Sequence, residues 1–129
     1  VKTYIINGNP VPLARPRMTR NNVYDSQKDF KLIAGLDIKK QHGNDPMFEG
    51  PLHLDVTFFM RIPYPSSRDK KRKLCSTYHV TRPDLSNLLK FYEDVCTGIL
   101  YQDDSLISSI SCKKIYDISP RTEFSLRTI

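Results

Sequence analysis

An α+β domain built on a small mixed β-sheet with two main helices is the fold class this sequence predicts, on three observations. Leu52, Leu54, Val56, Phe58 and Met60 alternate with His53, Asp55, Thr57, Phe59 and Arg61, the period of a half-buried strand. Between Asp84 and Leu100, the apolar residues Leu85, Leu88, Leu89, Tyr92, Val95, Cys96 and Ile99 form one helical face. Strand-like segments at both ends of the chain, with helical ones between, ask for helices gathered on one face of a sheet.

The remaining elements follow in order. Lys2–Asn7 is rich in β-branched and aromatic residues and stops at Gly8, which predicts a first strand. Pro10, Pro12 and Pro16 then deny regular structure and leave Arg15 and Arg17 on an extended, stiffened loop. Ser26 is placed to cap a helix running to about Gln41, in which Phe30, Ile33 and Leu36 or Asp37 recur at helical spacing while lysines take the other faces. Gly43 to Pro51 is a turn-rich linker. Pro63 to Thr81 is too polar for the core and too long for a hairpin turn, so it is expected as a surface excursion. The helix opened at Asp84 closes at Gly98 or the following turn, and Leu106–Ile115 and Thr122–Thr128 are strands joined through Asp117-Ile118-Ser119-Pro120. The 129 residues suit one domain, residues 1–129, with no internal repeat.

Charge is unevenly spread. The formal net charge is +6, yet residues 61–82 alone hold seven basic residues (Arg61, Arg68, Lys70, Lys71, Arg72, Lys73, Arg82) against Asp69. Residues 83–129 carry seven acids against five bases. That division suits an enzyme holding a polyanion with one region and a divalent metal with another, although a basic run that is merely a solvated loop would look the same. No apolar run reaches the roughly 18 residues of a membrane span, so no membrane partner and a cytosolic setting are expected. Cys75, Cys96 and Cys112 are odd in number and widely spaced, which suggests reduced thiols, the latter two as small core residues.

Two acidic positions flank the second helix: Asp84 at its start, and Asp103-Asp104 just past its end. Taken singly, Asp84 could be a helix cap and Asp103-Asp104 a polar turn. Taken together with Asn87, Lys90 and the cationic segments, they suggest carboxylates that hold a hard cation such as Mg²⁺ on a phosphodiester, with Lys90 stabilising charge.

Arg82-Pro83-Asp84-Leu85-Ser86-Asn87-Leu88-Leu89-Lys90, Glu93-Asp94 and Gly98-Ile99-Leu100-Tyr101-Gln102-Asp103-Asp104-Ser105-Leu106-Ile107 resemble the signature of the RusA family of Holliday junction endonucleases. Gly8-Asn9-Pro10-Val11-Pro12 with Arg15-Pro16-Arg17, and Glu49-Gly50-Pro51-Leu52, extend that resemblance over nearly the whole chain. It implies a RusA-like homodimeric fold and a bacterial or phage protein. The implied activity is Mg²⁺-dependent, with Mn²⁺ as the alternative ion, and nicks four-way DNA junctions symmetrically. Asp84 and Asp104 are implied as metal-binding catalytic carboxylates, Lys90 as the catalytic lysine and Asn87 as a supporting residue.

One position departs from the family pattern. Asp84-Leu85-Ser86-Asn87 carries a hydroxyl where the family has a carboxylate, so Ser86 can offer a metal only a neutral oxygen or a water. A few kcal/mol lost in the transition state is the scale at stake, at about 1.4 kcal/mol per tenfold in rate. Asp103, Glu93 and Asp94 are the candidates to compensate. A straight helix from Asp84 to Ile99 would be about 24 Å long, too long for Asp84 and Asp104 of one chain to share a metal. The expectation is a site shared across a two-fold dimer, with Asp84, Ser86 and Lys90 from one subunit and Asp103-Asp104 from the other.

Arg15, Arg17, Arg68, Lys70, Lys71, Arg72, Lys73 and Arg82 are candidates for phosphate contacts. Tyr24, Tyr64 and Tyr78 are candidates for base stacking, with ordinary packing as the simpler role. Of His42, His53 and His79, only His79 lies near the motif. A rival reading is a junction-binding protein that has lost cleavage through Ser86. An RNA-binding domain is weaker, since no aromatic-basic sheet motif is visible.

Overall fold

In the computed structural model, residues 2–14, 17–20, 22–24, 26–63 and 67–129 are described, the side chains of 17–19 and 22–24 excepted. The elements are β1 (Thr3–Asn7), β2 (Arg17–Thr19), β3 (Asn22–Tyr24), α1 (Lys28–His42), β4 (Leu52–Arg61), α2 (Arg68–Leu74), α3 (Leu85–Cys96), a 3₁₀ turn (Asp104–Leu106), β5 (Ile107–Asp117) and β6 (Arg121–Thr128). The main sheet runs β1-β6-β4-β5, and β2 pairs with β3 in a separate two-stranded ribbon. The expected α+β class with a mixed sheet is what forms: β4 pairs parallel with β5 and antiparallel with β6.

The alternation of β4 is realised residue by residue. Leu52, Leu54, Val56, Phe58 and Met60 are buried, together with Phe124 and Leu126 of β6 and Tyr4 of β1. Against this face pack Leu88, Phe91, Tyr92, Val95 and Cys96 of α3 and Ala34 and Ile38 of α1. Cys75, Cys96 and Cys112 are all free thiols, as expected.

Four expectations are corrected. The helix opened at Asp84 does close at Gly98, but it is shorter than the straight run from Asp84 to Ile99: Asp84 is its N-cap, Thr97 leaves the helix with extended backbone, and Gly98 takes φ 84°. The Gly98 amide then donates to the Tyr101 carbonyl, closing a tight return that an uninterrupted helix would forbid.

Helix α1 buries a different face from the expected one. Ala34, Gly35, Ile38 and His42 are inside, while Phe30, Ile33 and Leu36 are exposed. At Gly35 a Cβ would lie 3.2 Å from Cδ1 of Ile99, just past the end of α3, and 4.0 Å from Val95 Cγ1 of α3, so a larger residue would press on the Ile99 side chain.

The third concerns the stretch from Pro63 to Thr81, which is the expected surface excursion with no buried residue in its helix, but which carries the unforeseen α2. Ser67 Oγ accepts from the Lys70 amide as N-cap, and the charged run Arg68–Lys73 is made of mostly good helix formers that need no burial. The fourth is Arg17, expected on the loop, which instead opens β2 and pairs with Tyr24 in the β2–β3 ribbon. The short β5–β6 connection also does not make the two strands neighbours, because β4 lies between them.

Candidate active site

Asp84 stands at the N-cap of α3, exposed, and its carboxylate accepts no capping hydrogen bond. The simplest structural role for this aspartate is therefore not the one it performs. Its position is set from behind: Lys114 of β5 donates to the carbonyls of Thr81 and Pro83, the latter at 2.7 Å, and Pro83 adjoins Asp84. An ammonium on two carbonyls fixes the strand-to-helix approach through charge-assisted bonds. Nothing in the sequence singles out Lys114, because its partners are backbone atoms more than thirty residues away.

Ser86 and Lys90 lie one turn apart on the exposed side of α3, and Asn87 is half-buried beside them. The Asn87 carbonyl accepts from the Leu13 amide at 2.9 Å, which lays the Pro-rich N-terminal loop along the start of α3. Gln27 holds that loop by accepting from the Ala14 amide and donating to the Pro12 carbonyl, both at 2.8 Å. Between loop and helix opens a cleft of about 540 Å³ lined by Pro12, Leu13, Arg82, Pro83, Asp84 and Asn87. Arg82 is exposed at its rim. Arg15 and Tyr64 lie outside the described residues, as do the side chains of Arg17 and Tyr24.

The basic helix α2 is carried to the same end of the sheet. The Ser76 amide donates to Tyr116, the His79 amide to Lys114, and the Tyr116 amide to Thr77, so the chain following α2 is stitched to the last third of β5. Arg68, Lys70, Lys71, Arg72 and Lys73 are all exposed. Tyr78 is exposed as well and bridges Ile115 through backbone. His79 is buried against the Tyr116 ring, its Nε2 shares a 3.2 Å hydrogen bond with Thr81 Oγ1, and its Nδ1 has no partner. Burial and the nearby Lys114 charge hold its pKa below the ordinary 6.5.

Asp103 and Asp104 sit at the other end of α3. The Asp103 carboxylate accepts from the Ser105 amide at 3.2 Å, and its hydrogen bonds to Ser105 hold its pKa low. Asp104 is exposed. Its neighbour is Glu93, whose carboxyl is pushed above its usual range by burial, then by Asp104 and Asp94, against the pull of Lys90. Asp94 pairs with Lys31 at 3.7 Å.

The acids of one chain thus do not converge. From Asp84 to Glu93 is about 14 Å of helix, and all of α3 spans about 18 Å. No group of three or more His, Cys, Asp or Glu able to hold a metal exists among the described residues. In donor chemistry the residues do fit a hard cation, since Asp84 and Asp104 are exposed oxygen donors, but each end of α3 supplies only part of a set. No helix among the described residues is long and apolar enough to cross a membrane.

An exposed, uncapped carboxylate in an open cleft, with cationic side chains at the same end of the sheet, suits an enzyme acting on a phosphodiester. The chain belongs to the RusA endodeoxyribonuclease family, whose profile, described as Endodeoxyribonuclease RusA, matches residues 7–127. It is 28% identical over 136 aligned positions to the uncharacterized protein YqaN of Bacillus subtilis (strain 168), covering 98% of this chain and 95% of that protein. It is 36% identical over 80 residues to the crossover junction endodeoxyribonuclease rusA of Lactococcus phage r1t, covering 61% of this chain and 56% of the phage protein. The chain is thus an endodeoxyribonuclease by family.

Proposed function

We propose that this protein is a Mg²⁺-dependent homodimeric resolvase that binds four-way DNA junctions and nicks paired strands symmetrically in recombination and repair. It would act in the cytoplasm of a bacterium or of a phage-infected one. The observation that carries this reading is Asp84, a family-motif carboxylate left free of capping duty in the cleft beside the N-terminal loop. Asp84, Ser86, Asp103 and Asp104 are the ligand candidates, and since Asp84 and Asp104 lie at opposite ends of α3, each centre takes its two halves from different subunits. Mg²⁺, or Mn²⁺ in its place, would activate water and neutralise charge on the scissile phosphate when bound.

The chain's own residues have separate tasks. Lys114 and the Leu13–Asn87 contact hold the Asp84 end in place, Lys90 offers a cation toward developing negative charge, and Asn87 is fixed as a support. Arg15, Arg17, Arg68, Lys70, Lys71, Arg72, Lys73 and Arg82 contact phosphates, which positions a junction without reading its sequence. A fluorescently labelled four-way junction incubated with and without Mg²⁺ tests the proposal. Symmetric nicks that require the metal support it.

The exposed hydroxyl of Ser86, where the motif has a carboxylate, favours a second reading: a junction-binding protein that cleaves weakly or not at all. Tight, salt-sensitive binding without product in the same assay identifies it.

A further inference from the structure

Helices α1 and α3 pack side by side on one face of the sheet, and a groove of about 380 Å³ opens between them. Its walls are apolar: Leu32 and Leu36 of α1, each 59% exposed, stand with Val95 of α3 and Ile99 just past it. Gly35 lies between the two leucines and adds no side chain, so the groove stays open along the middle of α1. Single exposed aliphatic residues need no explanation, but several set together in a concave groove mark a contact surface.

The rim is cationic. Lys28, Lys31 and Lys39 line the groove against a single acid, Asp94, which pairs with Lys31 at 3.7 Å. Lys28 and Lys39 are exposed and make no ion pair among the described residues. They are eleven positions apart in the chain. On a helix that separation is about 17 Å and three turns to within roughly 20°, so both stand on one side of α1 with the leucine pair between them. The groove thus presents a cation, an aliphatic stretch and a second cation in line.

We propose that this groove is the docking site of an acidic amphipathic helix, about three turns long, carried by a protein partner. The apolar side of that helix lies on Leu32, Leu36 and Ile99, and carboxylates in its first and last turns meet Lys28 and Lys39. Charge argues against a second copy of this chain as the occupant, because two-fold pairing through the same groove would set each lysine rim against its equal. Nucleic acid suits the lysines but not the walls: unpaired bases stack on aromatic rings, and the groove has none. None of the residues assigned to phosphate contacts lines it, so partner and junction can be held at once, and docking does not depend on whether the chain cleaves.

Fluorescence anisotropy with the full chain tests the site. The probe is a fluorescein-labelled synthetic helix of about fourteen residues, with leucines at one-turn spacing on one side and glutamates in the first and last turns; its control carries lysine in place of each glutamate. The parent chain should bind the glutamate probe in the micromolar range, less tightly as salt rises, and the lysine control roughly tenfold or more weakly. Lys28→Glu with Lys39→Glu should reverse the preference between the two peptides. Leu32→Ser with Leu36→Ser should weaken the glutamate probe about tenfold or more and leave junction affinity unchanged. Equal affinity of the parent for the two peptides, no saturable binding, or a preference that survives the charge reversal overturns the proposal. Displacement of the probe by a four-way junction or by phosphatidylglycerol vesicles also overturns it, assigning the groove to DNA or to a lipid surface. So does an assembly of the parent chain that Leu32→Ser with Leu36→Ser abolishes, which assigns the groove to a second copy. If a variant fails to fold, the comparison of glutamate and lysine peptides on the parent chain decides.

Discussion

Lys114 of β5 donates to the carbonyl of Pro83 at 2.7 Å, so a residue in the sheet sets the position from which the Asp84 carboxylate projects. Lys114→Met, which keeps the aliphatic stem and deletes the ammonium, should lower stability by about 1–3 kcal/mol, the range for charge-assisted hydrogen bonds. It should also reduce Mg²⁺-dependent cleavage at least tenfold while junction affinity changes little. Urea unfolding, gel-shift titration and single-turnover cleavage on the same preparation separate the three effects.

Ser86 occupies an exposed position two residues beyond Asp84. Ser86→Asp adds a charged oxygen donor, and tenfold or greater acceleration corresponds to about 1.4 kcal/mol or more of transition-state stabilisation. The Mg²⁺ concentration at half-maximal rate should fall in parallel. A rate and a metal dependence identical to those of the parent would show that this position takes no part in the centre.

Asp84 and Asp104 stand at opposite ends of α3, which makes a mixing experiment informative. Asp84→Asn and Asp104→Asn should each abolish cleavage alone. Mixed and allowed to exchange subunits, they should recover activity, because in the dimer proposed above one centre of the mixed pair receives both intact carboxylates. A mixture as inactive as its parts would place both carboxylates of a centre in one chain.

His79 predicts an acid limb. Its pKa is held below 6.5 in the folded chain, so the folded state favours the neutral ring. The resulting stability is fully present above pH 6.5 and is lost as pH falls from there toward the folded value, because the unfolded chain takes up the proton first. His79→Phe, which retains ring packing against Tyr116 and removes the unpartnered Nδ1, should flatten this part of the stability-versus-pH curve. Urea midpoints at pH 7.5 and pH 5 for the two chains measure it.

On α1 the core contact is Ile38, fully buried, and Phe30 is 61% exposed. Ile38→Ala should cost about 2–5 kcal/mol, whereas Phe30→Ser should stay near the roughly 0.5 kcal/mol typical of surface changes. Thermal unfolding of both variants distinguishes the observed face from the one that spacing alone suggests.

That contrast shows what was legible in the sequence. β4 was readable to the residue, since a period of two with one face buried leaves no competing register. The apolar stripe of α3 was readable too, because the helix is nearly all core on one side. On α1 the large residues Phe30, Ile33 and Leu36 suggested a face that packing overruled, since Ala34, Gly35, Ile38 and His42 are the residues turned inside. The end of α3 was readable from Gly98, the residue type that takes the positive φ of the return turn, although helical periodicity alone runs on to Ile99. Of the candidate site, Asp84, Ser86, Asn87, Lys90, Asp103 and Asp104 were visible as a motif. Lys114 was not, because a lysine bonded to backbone carbonyls leaves no pattern.

Strand β6 follows every other described element in the chain, yet it sits between β1 and β4. Thr3 pairs with Ser125, and Asp55 with the same serine, so the first strand has no place in the sheet until the last one is in position. Such distant pairings delay folding until nearly all of the chain is available. The helix bearing Asp84 therefore gains its full support only once β6 has been made and has joined β1 and β4. A chain cut short before β6 would in this way present its acidic motif without the sheet that holds it.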